Sequence, residues 1–266
     1  MPLPLQNREE DLHRVLEIAE ESGRCFVHGH QDDGVLQFGL GLAENLRRHH
    51  VSVAVYQFLV YCPTSYSTVL CNVLEQLGLC PQAVQSAYEA ERQKLSAATV
   101  TQSIGLGAEA KEMVLENVQQ TVEVSFPVQE VPCDRVVAAF QNTVQSAPTE
   151  TKWVILCGIT KECPTPYIQN VLRGALWQNA VRASSLRLVW CEETQSAPDW
   201  TNVGECYRLG SIGMNEAVNA LQGEPARLSS DQAVAVVRQL LDESRTVRYA
   251  ALECAANKEV LRRTWI

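Results

Sequence analysis

Between His28 and Asp33 the chain sets two imidazoles and two carboxylates, in the order His28-Gly29-His30-Gln31-Asp32-Asp33, and Gly34 follows. Imidazole nitrogen and carboxylate oxygen are donors that zinc accepts, and such a site can leave one position open for an activated water. The same run reads equally as Gly29-x-x-x-x-Gly34, a spacing whose backbone N–H groups can cradle phosphate when it joins a strand to a helix. A third reading needs no ligand. A carboxylate just before a helix accepts hydrogen bonds from the first-turn N–H groups and opposes the positive end of the dipole. In that reading Asp32 or Asp33 caps the helix and His28 is a partly buried residue with its hydrogen bonds made. Nucleophilic catalysis finds less support. No G-x-S-x-G elbow exists, all five His lie before residue 51, and Cys157 and Cys163 have no base near them in sequence.

The elements around this run explain its position. Cys25 to His28 is a short apolar strand, Val35 to His50 carries Val35, Leu36, Leu40, Leu42, Ala43 and Leu46 at helical spacing, and Val51 to Val60 is apolar again. That is the opening of a parallel βαβ sheet, and ligands of open α/β sheets sit at the carboxyl ends of strands. Downstream, TVEVSFPV (121–128), WVILCGI, SLRLVWCEE and CYRLG read as further strands, with helical segments between them. The fold class expected is three-layer α/β/α with a mostly parallel, Rossmann-like or degenerate RecA-like sheet. Residues 1–210 form the α/β domain, with 96–120 as an insertion or mobile segment. Residues 211–266 add helices on the same domain, and the tail reads either as a β-hairpin turning at Asn257, the preferred reading, or as a helix.

Three local resemblances follow from these residues. The Gly29–Gly34 frame resembles the P-loop of RecA-like ATPases, which continues with Lys and Ser or Thr to neutralise phosphate and hold magnesium; Val35 and Leu36 stand there in this chain. The resemblance implies an inactive P-loop-type subunit of a larger assembly. His30-Gln-Asp32-Asp33, with Val35-Leu36 and Gly39, resembles the H-P-D-D-E start of zinc N-deacetylases. That likeness implies zinc on His30 and Asp33 and Asp32 as base. The downstream H-x-x-H of those enzymes is replaced by Cys163-Pro-Thr-Pro166. Finally, Trp190-Cys-Glu-Glu-Thr-Gln-Ser-Ala-Pro-Asp-Trp200, with Glu205 beyond, resembles the closing segment of the small acidic growth-arrest and DNA-damage-inducible stress proteins. An L-x-x-V-L-x-x-A helix (Leu12 to Ala19), the Gly34-Val35 helix start and the Trp153–Ile159 strand precede it in compatible order. This likeness implies an α/β sandwich without catalytic residues that binds protein partners; the chain runs some 60 residues past the segment.

Composition narrows the classes. In 266 residues, 46% are hydrophobic and 20% charged, with a net charge of −9, which disfavours a phosphate-binding surface for nucleic acid. No apolar run reaches the ~20 residues of a membrane span. The first residues lack the order of a signal peptide, so a cytoplasmic or nuclear protein is expected. The ten cysteines never form C-x-x-C pairs and read as small buried hydrophobes rather than disulfides.

Each enzymatic template therefore lacks a residue its chemistry needs. The sequence reads as a non-catalytic intracellular interaction protein or complex subunit, without metal or cofactor. Zinc-dependent hydrolysis through His30, Asp32 and Asp33 is the first alternative, and an inactive P-loop-type subunit the second. Protein partners, or further copies in a homo- or hetero-oligomer, would find aromatic anchors in Tyr61, Tyr66, Trp200 and Trp265.

Overall fold

A computed structural model describes residues 8–30, 33–59, 64–96, 130–147, 150–182, 184–223, 226–244 and 246–264. Helix α1 (Glu9–Ser22) begins with Glu9, Glu10 and Asp11, whose charge suits its positive end, and stops at Gly23 in the left-handed region. Strand β1 (Arg24–Gly29) leads through the polar turn into α2 (Val35–Arg48) and then β2 (Ser52–Gln57). Helix α3 (Tyr66–Gln76) is capped by the Ser65 hydroxyl, which accepts from Thr68 N–H at 3.1 Å. Helix α4 spans 82–96, followed by α5 (Asp134–Gln145) and β3 (Lys152–Ile159). Helix α6 (Pro166–Leu172) runs on as a π-helical turn (Arg173–Trp177). Strands β4 (Leu186–Glu193) and β5 (Cys206–Arg208) complete the sheet.

The sheet has the order β2-β3-β4-β1-β5 with every pairing parallel. Parallel strands are covered on both faces, so the interior ones read as unbroken apolar runs rather than alternations. In β3 every residue except Gly158 is buried, as WVILCGI demands. Helices α3 to α6 cover one face, where Phe26, Leu188 and Trp190 meet Leu70, Phe140 and Leu176. Helices α1 and α2 cover the other, over Cys25, Val27, Ile155 and Cys191. The expected three-layer α/β arrangement is the fold.

Helices α7 (Met214–Gln222), α8 (Ser230–Ser244) and α9 (Tyr249–Thr264) gather a separate core from Ile212 to Ala256. The hairpin expected in the tail is corrected to α9. Ala250, Ala251, Ala255 and Ala256 favour helix, no Gly follows Asn257 to make a tight turn, and Leu252 and Ala256, four residues apart, are both buried. The strand at 121–128 and nearly all of the 96–120 segment lie outside the described residues. Among the described residues no helix is long and apolar enough to cross a membrane.

Helix α2 lies close to the sheet because Gly39 presents no side chain to it. A Cβ there would stand 3.0 Å from Cys157 Cβ and 3.1 Å from Cys191 Sγ. The substitution Gly39→Val should lower the stability of the protein by about 1–3 kcal/mol, read as a lower denaturant midpoint, because the helix cannot withdraw without opening the layer beneath it.

Candidate functional site

After β1 the chain crosses past β4 and β3 toward β2 at one edge of the sheet, and after β4 it passes beyond β1 to β5, so the connections leave the carboxyl ends of β1 and β4 in opposite directions. This is where an open α/β sheet forms its crevice. Register places His28 beside Glu192 and Gly29 beside Glu193, and β5 brings Arg208 beside His28.

The polar turn is closed by its own residues. Asp33 N–H donates to His30 O at 2.8 Å, and the Asp33 carboxylate accepts from His30 N–H, also at 2.8 Å. The expected helix cap is therefore corrected for Asp33. Its carboxylate turns back to the start of the turn, and the N-cap is Gly34 at φ 76, a left-handed conformation that glycine adopts without strain. The next residue, Val35, is 1% exposed and packs in the core with Phe38 and Leu42; Leu36 is partly buried against the same cluster. The positions where a P-loop keeps its Lys and Ser or Thr thus belong to the hydrophobic interior.

Two further groups fill the space in front of β1. Leu209 N–H donates to His28 O at 2.7 Å, continuing the line of β5, and a Cβ on Gly29 would meet Leu209 O and Val35 Cγ2 at 3.1 Å each. Gly29 is needed for close approach, and what approaches is the protein itself. Arg8, 4% exposed, lies across the turn. Its Nη2 donates to Asp33 O at 3.0 Å and to Gly210 O at 3.1 Å, while Nη1 pairs with Asp11 at 3.1 Å. Asp11 also accepts from the Tyr207 hydroxyl, whose titration is pushed up by burial and by that bond. Sequence reading missed Arg8, because a lone Arg before an acidic helix carries no pattern.

His28 and Glu192 occupy the face toward α6. His28 is 7% exposed and its Nδ1 meets no hydrogen-bond partner among the described residues, where the sequence reading expected its bonds to be made. Burial lowers its pKa, against a bond with the Thr194 backbone, and Arg208 lowers it further. Burial raises the Glu192 carboxyl, opposed by the Trp190 Nε1 bond at 3.0 Å and by Arg173. Phe26, Trp177, Trp190 and Trp200 pack edge-on around this corner, with Trp200 centroids 5.0–5.6 Å from the other three. Arg173 lies 4.4 Å over the Trp200 ring.

Of the four aromatic anchors expected at a surface, Tyr66 and Trp200 fall among the described residues. Tyr66 is 2% exposed, with its hydroxyl donating to Val131 O and Pro132 O, so it is a core residue. Trp200 is half-buried in the tryptophan cluster. Tyr61, Asp32 and the structure of Trp265 lie outside the described residues. His30 and Asp33, named for zinc, are joined by the backbone bond above, and the Cys163 loop follows β3, which β4 separates from β1. Among the described residues no group of three or more His, Cys, Asp or Glu is placed to hold a metal ion. The nine described cysteines are free thiols, and burial raises Cys25, Cys157 (to about 12) and Cys191 well away from reactivity.

No protein-family model and no curated protein matches the chain. Solved structures do resemble it in fold. A chain of Drosophila ORC bound to DNA has a TM-score of 0.47 at 12% identity, covering 96% of this chain and 61% of that one. A chain of the E. coli MS115-1 HORMA:CdnC:Trip13 complex gives 0.44 at 8%, covering 94% and 88%. A Walker-type ATPase of Pyrococcus abyssi gives 0.36 at 11%, covering 90% and 65%. The present chain thus spans about 61% of the length of the Drosophila ORC chain it resembles.

Two outcomes follow from this geometry. Replacing Arg8 by Met keeps the aliphatic stem but leaves Asp33 O and Gly210 O without their donor, and should cost about 2–3 kcal/mol in denaturant unfolding. Glu192 is a carboxyl whose charged form is harder to hold folded than unfolded. Its favourable contribution is present below the ordinary carboxylate value and is lost as pH rises through the raised one. Glu192→Gln should therefore raise the melting temperature at neutral pH, and the gain over wild type should shrink to nothing as pH falls below the ordinary carboxylate range.

Proposed function

We propose that this chain is a non-catalytic subunit of an intracellular assembly, built on an α/β scaffold whose phosphate-type cradle is occupied by its own side chains. One observation carries the reading: the Asp33 carboxylate already sits on the His30 N–H of the turn, at 2.8 Å. A phosphate approaching that N–H would meet a negative charge in its place. Phosphoryl transfer relies on positioning and charge neutralisation by a cradle, a Lys and a magnesium ion. Here Val35 and Leu36 stand at the cation and hydroxyl positions and are packed inward. Two supporting facts agree with the reading. Arg8, the cation nearest the turn, donates to protein carbonyls and Asp11, and Gly29 is approached by Leu209.

A scaffold with this site closed acts through its surfaces. Protein partners are proposed over nucleic acid because of the net charge of −9. The Drosophila structure shows ORC on DNA, so DNA-binding assemblies belong among the complexes to be tried for a partner.

Calorimetric titration with magnesium and ATP, alongside metal analysis of the purified protein, tests the proposal. No heat of binding at millimolar nucleotide and no stoichiometric metal are expected. Micromolar ATP binding would overturn it, as would stoichiometric zinc that is lost in His30→Ala, which would instead favour the hydrolase alternative.

A further inference from the structure

Among the described residues strand β2 is the terminal strand of the sheet and pairs with β3 alone. Its even-numbered residues face β3, as the continuing bond from Phe58 N–H to Cys157 O at 2.9 Å shows. Val53, Val55 and Gln57 therefore turn their N–H and C=O groups outward. Such an edge is a ready template for another strand. The segment Ser52–Gln57, SVAVYQ, has no charge and no Pro and contains two Val and a Tyr, the composition that pairs most readily with a copy of itself.

The middle rung of this edge is taken. The Gln76 carboxamide, at the last turn of α3, accepts from Val55 N–H through Oε1 at 2.9 Å and donates from Nε2 to Val55 O at 2.8 Å. One side chain thus makes both bonds that a neighbouring strand would make to that residue. The amide is held in plane by Asn72 Oδ1, which accepts from Nε2 at 2.6 Å, and Arg47 Nη2 reaches Oε1 at 3.5 Å. With Val55 occupied, the outward groups of Val53 and Gln57 remain as two separated single rungs, and no continuous ladder can form on them.

We propose that Gln76 is a strand surrogate that closes the β2 edge against the same edge of a second copy of this chain. The guard lies far from the carboxyl-end crevice and does not depend on how that crevice is read. It also narrows where a partner docks: an extended segment cannot add to β2 unless it displaces Gln76.

Size-exclusion chromatography with light scattering, over a concentration series of the full chain, tests the assignment. Gln76 is exposed, so Gln76→Ala should unfold cooperatively near the wild-type temperature. Its mean mass should rise with concentration to about twofold that of wild type, as an edge-to-edge pair of copies requires. Adding Gln57→Lys, which puts a charge on the exposed edge where a second strand would have to desolvate it, should restore the wild-type mass. A Gln76→Ala protein whose mass follows wild type at every concentration overturns the proposal. So does association that Gln57→Lys leaves in place, or association that appears only with loss of cooperative unfolding.

Discussion

The amide of His30 donates to a carboxylate three residues away. Much of the molecule is arranged about this bond. It fixes the direction of the chain between β1 and α2, puts Gly34 in the left-handed conformation that starts the helix, and leaves Asp33 O facing Arg8. Arg8 in turn ties the entry of α1 to the exit of β5 at Gly210, just before the C-terminal helices. A buried guanidinium is tolerated only where its donors are met, and here a carboxylate and two carbonyls from three segments meet them. The crevice end of the sheet is in this way held together by the protein's own charges.

The two sides of the sheet differ in how they use polarity. Beneath α1 and α2 the layer is apolar, with the thiols of Cys25, Cys157 and Cys191 serving as small hydrophobes, the last two under Gly39. Toward α6 the layer contains Arg24, Arg173, His28 and Glu192 among four large aromatic rings. Arg24 donates from Nη1 to Trp177 O and pairs through Nη2 with Glu205 at 2.9 Å. His28 and Glu192 are shifted toward their neutral forms by burial. Four atoms at this corner, Arg24 Nε, His28 Nδ1, Arg173 Nε and Trp200 Nε1, meet no hydrogen-bond partner among the described residues, so the polar network there is less complete than the one on Arg8.

The sheet was legible because its strands are unmistakable as residues. WVILCGI can be little else than a strand buried on both faces, and the alternation of such runs with amphipathic helices implies parallel crossovers. A hydroxyl just before a helix is a local signal of a cap, and Ser65 is one such residue. Long-range polar contacts were not legible. Nothing in the spacing of Arg8, Asp33 and Gly210 announces that they meet, since they are 25 and 202 residues apart in the chain. Asp33 misled for a related reason: a carboxylate before a helix has two sets of N–H groups within reach, and sequence alone does not choose between them. Aromatic residues misled too, because Tyr66 in a loop-to-helix segment looks available until its ring is seen to pack on Tyr88 and Tyr167.

Amide hydrogen exchange at His30, followed with and without magnesium and ADP, examines the closed turn directly. An N–H already bonded to the Asp33 carboxylate exchanges slowly, at the same rate in both conditions, and speeds up in Asp33→Ala. Fast exchange in the free protein that nucleotide suppresses would mean that the turn is an open phosphate cradle, and would contradict the account.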